Sequence, residues 1–125
     1  WLCGITGYPP QGEISRTAIG ADESVAWEYA KDVLDVVRAH KERGYQVVLL
    51  EQADGSVPYD EFLPDKPVCL VLGNEVEGIA QELEELADVA VEIPMAGVKN
   101  SLNVAVAFGV VAFHLMRAFA RRRGL

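Results

Sequence analysis

The sequence predicts an α/β domain: a mostly parallel sheet with helices on both faces. Three observations predict it. Short aliphatic runs at 46–51, 68–72 and 89–93 alternate with segments of helical length. The runs lack the in-out polar alternation of a sheet that faces water, so both of their faces are expected to be covered. Each run also stops at residues that bend the backbone, with Gly73 after the second and Pro94 and Gly97 after the third. At 125 residues the chain is expected to form one domain, 1–125, around a single core.

In chain order, Trp1-Leu2-Cys3 reads as the tail of a strand, and the Gly- and Pro-rich residues up to Pro10 read as a loop. A helix is expected over 27–43, with Trp27, Ala30, Leu34 and Val37 on one stripe and Val33 beside it. Gly44 follows in the usual position beyond a helix end. The strand 46–51 leaves through Ala53-Asp54-Gly55-Ser56, and 59–63 reads as one helical turn before Pro64. The strand 68–72, a short acidic helix 79–86, the strand 89–93 and a terminal helix 102–122 complete the set. From Val104 to Phe113 the terminal helix is apolar nearly all round, which predicts burial on more than one side. We read it as part core and part homodimer interface.

Composition bounds the function. Half of the residues are apolar and 8% aromatic, a globular balance. The formal charge of −8 excludes nucleic-acid binding through the overall field, so an RNA contact needs a local basic patch, a second subunit or residues outside this chain. Cys3 and Cys69 give neither a disulfide framework nor a metal-ligand spacing, and no metal site is expected. The opening residues lack a basic start and an apolar signal core, and the stretch 104–116 is short for a bilayer span. A soluble cytoplasmic protein is the expectation.

The informative segments are two loops and a helix start. Leu70-Val71-Leu72-Gly73-Asn74-Glu75-Val76-Glu77-Gly78 is one, and Ile93-Pro94-Met95-Ala96-Gly97-Val98-Lys99-Asn100-Ser101-Leu102-Asn103-Val104 the other. Strand, bare loop and helix, repeated in this way, describe a ligand site made largely of main chain at the carboxyl ends of strands. Gly73 and Gly97 would let the backbone approach a ligand closely, and Pro94 fixes its own φ. An ordinary strand-to-helix turn explains Gly73 and Gly78 taken alone. Ser101 and Asn103 can equally cap the terminal helix, a role compatible with binding a polar ligand there.

Together these segments resemble the second and third motifs of the SpoU (TrmH-like) RNA 2′-O-ribose methyltransferases, of the SPOUT superfamily. Arg16-Thr17-Ala18-Ile19-Gly20-Ala21 and Val25-Ala26-Trp27 resemble that family's upstream K-T-A-L-G-A-E…V-P-W segment, so the likeness spans almost the whole chain. The resemblance implies a trefoil-knotted α/β fold acting as a homodimer through the C-terminal helix. It implies S-adenosyl-L-methionine bent into the knot, and methylation of a ribose 2′-hydroxyl in tRNA or rRNA.

The transfer is an in-line displacement at a carbon activated by the sulfonium. The protein must bind the donor, aim its methyl at the ribose oxygen and help remove the hydroxyl proton. By resemblance, the main chain around Leu72, Gly73, Ile93, Met95 and Leu102 contacts the cofactor, and the Leu50-Glu51 loop edges its other side. Ser101 and Asn103 lie beside the ribose and the cofactor tail. Glu75 orients loop backbone or faces the cationic end of the cofactor, and Arg16 contacts RNA. Glu77 reads as a solvated carboxylate, and Glu82, Glu84, Glu85 and Asp88 as the wet face of a short helix. His40 and His114 read as structural, and 121–123 as a basic helix end.

The family's first motif, an Asn followed by an Arg thought to assist deprotonation, precedes the first strand seen here. The expectation is therefore a chain truncated at its N-terminus, lacking its first strand and helix. A second reading follows from that, a non-catalytic SPOUT-like module that binds cofactor or RNA. A Rossmann-type nucleotide domain is disfavoured because no G-x-G-x-x-G follows an early strand.

Overall fold

The structure, a computed structural model, describes residues 1–3, 25–73, 79–96 and 103–124. The chain divides into two compact units, Trp1–Val36 and Val37–Leu125. In the first, β1 (Leu2–Cys3) pairs in parallel with β2 (Tyr29–Ala30). Helix α1 (Val33–Glu42) follows, and the Asp32 carboxylate accepts the Leu34 N–H at 2.9 Å, closing off one of the free donors at its start. The helix expected over 27–43 is thus shorter. Tyr29 and Ala30 are taken by a strand pairing, and Trp27 lies outside the helix; of the predicted stripe, Val37 is the residue that becomes buried. Gly44 behaves as expected: at φ 91° it lets its own N–H reach Lys41 O and the Tyr45 N–H reach His40 O, both at 3.0 Å.

The second unit is built on a parallel sheet of four strands in the order β4–β6–β3–β5. These are β3 (Gln46–Leu50), β4 (Val57–Pro58), β5 (Val68–Leu72) and β6 (Val89–Glu92). A 3-10 turn, Tyr59–Glu61, stands where one helical turn was read, and α2 (Gln81–Leu86) leads into β6. The mostly parallel α/β architecture is as predicted.

Alternation along β3 divides the core. Val48 lies with Val91 on the face covered by the terminal helix α3 (Val104–Arg122), whose Val111 and Leu115 pack against them; Leu50, Leu70, Val89 and Ile93 extend this cluster. Val47 and Leu49 point the opposite way and are equally buried, at 0% and 1% exposed, as are Val71, Leu83 of α2 and Val37 of α1. A sheet buried on both faces explains why its strands read as continuous apolar runs. Each such valine or leucine contributes roughly 1.5–3 kcal/mol of transfer free energy.

The apolar stretch 104–116 lies within the terminal helix, as read from sequence. All of Val104–Arg122, 19 residues, is helical, and by length and mean hydropathy it meets the criterion for a bilayer-crossing segment. The sequence reading ran this helix over 102–122, and its C-terminal end is found at Arg122 as read; what ended at Met116 was the apolar stretch weighed as a bilayer span, whereas the criterion is met over the whole helix, Arg117 included. Its Val111–Leu115 stripe is used against the sheet.

Asp88 was read as part of a wet face, and the structure gives it a structural role. Its Oδ2 accepts the Val47 N–H at 2.7 Å while its own N–H donates to Val47 O at 2.9 Å, so it fastens the starts of β3 and β6 together. Lys41 adds a 2.6 Å hydrogen bond to Leu86 O and a 3.3 Å ion pair to Asp88. In urea denaturation, Asp88→Ala is expected to cost about 1–3 kcal/mol, because a strand N–H loses its acceptor. Lys41→Ala is expected to cost under about 1 kcal/mol, since the ion pair is exposed to water and screened.

Candidate functional site

Parallel pairing sets the site's geometry. Leu50 is in register with Leu72 of β5 and with Val91 of β6, so three strands end at the same edge of the sheet. Beyond that edge the chain continues as Glu51, as Gly73, and as Ile93 through Met95. Residues paired in parallel strands share a face, so Leu50, Leu72 and Val91 all point toward the α3 side. Ile93 packs against the α3 cluster, while Gly73 and Met95 are half-buried. Five residues assigned to the cofactor from sequence, Leu50, Leu72, Gly73, Ile93 and Met95, therefore belong to one sheet edge. Leu102, with Ser101, Glu75 and Arg16, lies outside the described residues.

Asn103 is the first described residue of the terminal segment, and it caps α3. Its Oδ1 accepts the Ala105 N–H at 2.8 Å and its carbonyl accepts the Ala107 N–H at 2.9 Å. The capping role considered from sequence is present, and the residue is exposed.

Glu51 is the titratable group of this edge that sequence reading placed there without a role. Its N–H donates to Val91 O at 3.0 Å, which fixes its backbone to β6. Its Oε2 is shielded from solvent and has no hydrogen-bond donor. Burial, then the nearby Glu84 carboxyl, push the Glu51 pKa above the ordinary carboxylate value, while the Ile79 N–H works in the opposite direction. Glu84 is exposed on α2, as read, but it is not merely solvated. No signal in a single sequence pairs residues 51 and 84.

Elsewhere, His114 is held by the protein: its Nε2 lies 2.8 Å from Phe62 O and its ring meets Tyr59 edge-on at 5.5 Å. That is the structural role expected of it. His40 meets Tyr45 edge-on at 5.0 Å. Neither Cys3 nor Cys69 is in a disulfide. A cavity of about 840 Å³ opens beside Tyr59, Phe113, His114 and Arg117, and none of the five edge residues lines it.

Residues 4–113 match the model of the SpoU rRNA Methylase family. A tRNA (guanosine(18)-2′-O)-methyltransferase of Aquifex aeolicus is 42% identical over 114 residues, covering 88% of this chain and 54% of that protein. The chain thus spans about half the length of that curated relative. Among solved structures, an AdoMet-bound rRNA methyltransferase from Sinorhizobium meliloti superposes with a TM-score of 0.84 at 36% identity, over 99% of this chain and 45% of that one. The TrmH/SpoU tRNA-modifying enzyme of A. aeolicus gives 0.78 at 31% identity, covering 92% and 60%.

The cap at Asn103 makes a prediction of its own. Replacing it with alanine is expected to cost about 1 kcal/mol in chemical denaturation, and Asn103→Ser, which restores an acceptor oxygen, only a few tenths. Equal losses in both variants would show that the cap is not what the side chain contributes.

Proposed function

Because this chain belongs to the SpoU rRNA methylase family, of the SPOUT superfamily, we propose that it serves methyl transfer from S-adenosyl-L-methionine to a ribose 2′-hydroxyl of tRNA or rRNA. The observation that carries this reading is the shared edge at Leu50, Leu72 and Val91, with the glycine and the proline-led segment that follow. Adenine recognition by main chain needs such an edge: bare peptide groups at strand ends with an apolar floor. A solved relative at 36% identity was crystallised with AdoMet, which supports the same assignment. We take residues 1–125 as one SpoU-type methyltransferase domain, since the family match runs through both units.

In this reading Leu50, Leu72 and Ile93 supply the apolar floor, while the backbone at Gly73, Met95 and Leu102 holds the adenosyl group. The sulfonium of the bound donor supplies an activated methyl. What the chain contributes is alignment, and a displaced angle of attack is costly, since holding reactants in line is worth several orders of magnitude in rate. Asn103 and Ser101 stand beside the ribose, Glu75 steadies the loop or faces the donor's cationic end, and Arg16 meets RNA phosphate. We propose the trefoil knot as the threading that brings the second and third motifs around one ligand. We read the protein as cytoplasmic, as befits an enzyme of tRNA or rRNA.

A homodimer is the partner arrangement we propose. At 100° per residue, Val106, Phe113 and Met116 fall on the side of α3 opposite Val111 and Leu115, and they are 53%, 66% and 60% exposed. An apolar face of this kind marks an interaction surface. A second copy would also bring more basic side chains toward an RNA that one acidic chain repels.

Three measurements test these statements. Calorimetric titration with S-adenosyl-L-methionine is expected to give saturable binding; a folded sample that evolves no heat would remove the cofactor assignment. With labelled donor and bulk RNA, Asn103→Ser is expected to lower kcat by on the order of 10² while leaving stability near wild type. Binding without any transfer by the wild type would favour the non-catalytic module. In sedimentation, Phe113→Glu is expected to shift a dimer to monomer, and an unchanged mass would rule out the α3 interface.

A further inference from the structure

The helix dipole accounts for Arg121 and Arg122, which stand in the last turn of α3. It does not account for Arg117, a full turn earlier, where that effect has faded. Val110, His114, Arg117 and Arg121 recur at helical spacing and so form one stripe along α3. At 100° per residue the stripe runs between two others. On one side is the Val111–Leu115 stripe bound to the sheet, and on the other the exposed Phe113–Met116 side proposed for a second copy.

This stripe is one wall of the cavity of about 840 Å³, and the segment from Tyr59 to Pro64 supplies the other. Pro64 is buried, Tyr59 and Val110 are half-buried, and Phe113 presents its ring at 66% exposure. Arg117, Arg121 and Arg122 are exposed, and among the described residues no carboxylate is ion-paired with any of them. Three guanidiniums thus stand against one lining carboxylate, Asp60, in a chain whose formal charge is −8. Unpaired guanidiniums beside aromatic surface suit a polyanion that also carries flat rings. A guanidinium takes a phosphate through two N–H groups, and an aromatic face takes a base. An acidic peptide would use the first feature and leave the second idle.

We propose that this groove binds a single strand of RNA, with phosphates on Arg117 and Arg121 and bases against Tyr59 and Phe113. The two arginines are about 6 Å apart along the helix axis, a step comparable to that between consecutive phosphates of an extended strand. The inference rests on the RNA reading above and adds where the RNA lies. Pro58 is in register with Glu92, so Tyr59 leaves the sheet beside Ile93, and both pack against the α3 cluster. The groove therefore begins at the same sheet edge as the proposed donor site. Arg117 follows Asn103 by about 21 Å along α3, so the nucleotides held there are not the one that reacts. The groove accordingly governs capture of the RNA and not the transfer of methyl. It is the local basic patch that an acidic chain needs for such a partner.

The test follows a fluorescein-labelled oligouridylate by anisotropy across a salt series, for wild type, Arg117→Ala, Arg121→Ala and the double variant. Each arginine lost is expected to weaken binding about 3- to 10-fold and to lower the slope of log affinity against log salt by about 0.7. Arg38→Ala, an exposed arginine of α1 outside the groove, is expected to change neither. With bulk RNA and labelled donor, the double variant is expected to raise KM by about 10-fold or more at unchanged kcat. Methyl transfer by a double variant with wild-type RNA affinity would overturn the groove and leave the proposed function standing. Equal losses in Arg38→Ala would also overturn it, as would an equal loss of affinity for a polyglutamate peptide, since the surface would then read charge alone. A shift from dimer to monomer in the double variant would assign the groove to a second copy instead. Weakened RNA binding in the groove variants of a chain that transfers no methyl would support the groove and favour the non-catalytic module. A wild type that binds no oligouridylate at low salt would remove the RNA reading and this inference together.

Discussion

The register of β3 is the constraint on which the rest of this structure depends. Its three central residues are essentially removed from solvent, and it is hydrogen-bonded on one side to β5 and on the other to β6. A slip of one residue would turn Val48 away from α3 and drive Val47 into its place, exchanging the two halves of the core. It would also unhook Asp88 from the Val47 N–H and separate the ends of the three strands. The core and the candidate site are thus set by the same pairing, because a parallel sheet delivers all of its carboxyl ends to one side.

The terminal helix obeys a second constraint. Its Val111 and Leu115 are bound to the sheet, yet apolar side chains also occupy the opposite side. Such a helix suits a bilayer by length and hydropathy alone, but one stripe of it is already committed to a sheet of the same unit. That leaves the other stripe to be covered, and it is why the sequence reads as apolar all round.

Much of this was legible in the sequence. The strands β3, β5 and β6 were found within a residue, because doubly buried strands leave uninterrupted aliphatic runs. Gly44 announced the helix end, since its positive φ suits no other residue so well. The elements that escaped are those made by distant partners. Tyr29 and Ala30 carry no strand signature of their own and become one by pairing with Leu2 and Cys3. Asp88 looks like any solvated acid until β3 is placed beside it. Glu51 and Glu84 are separated by most of the sheet in sequence. At the candidate site, strand boundaries place Leu50, Leu72, Gly73, Ile93 and Met95 at strand ends, while the cofactor role proposed for them comes from the family resemblance. For Glu75, Ser101, Leu102 and Arg16 the roles in binding likewise rest on resemblance, as no local pattern sets what a loop side chain meets.

The cap at Asn103 restricts what that side chain can offer. A primary amide has an acceptor end and a donor end, and here the acceptor is engaged by the Ala105 N–H. The end left over is the NH₂, which gives hydrogen bonds and takes none. The NH₂ end suits a group that brings lone pairs, such as a ribose oxygen or a carboxylate. The residue can orient such a group or steady negative charge on it, but it cannot carry a proton away. Removal of the hydroxyl proton must therefore fall to another group or to solvent.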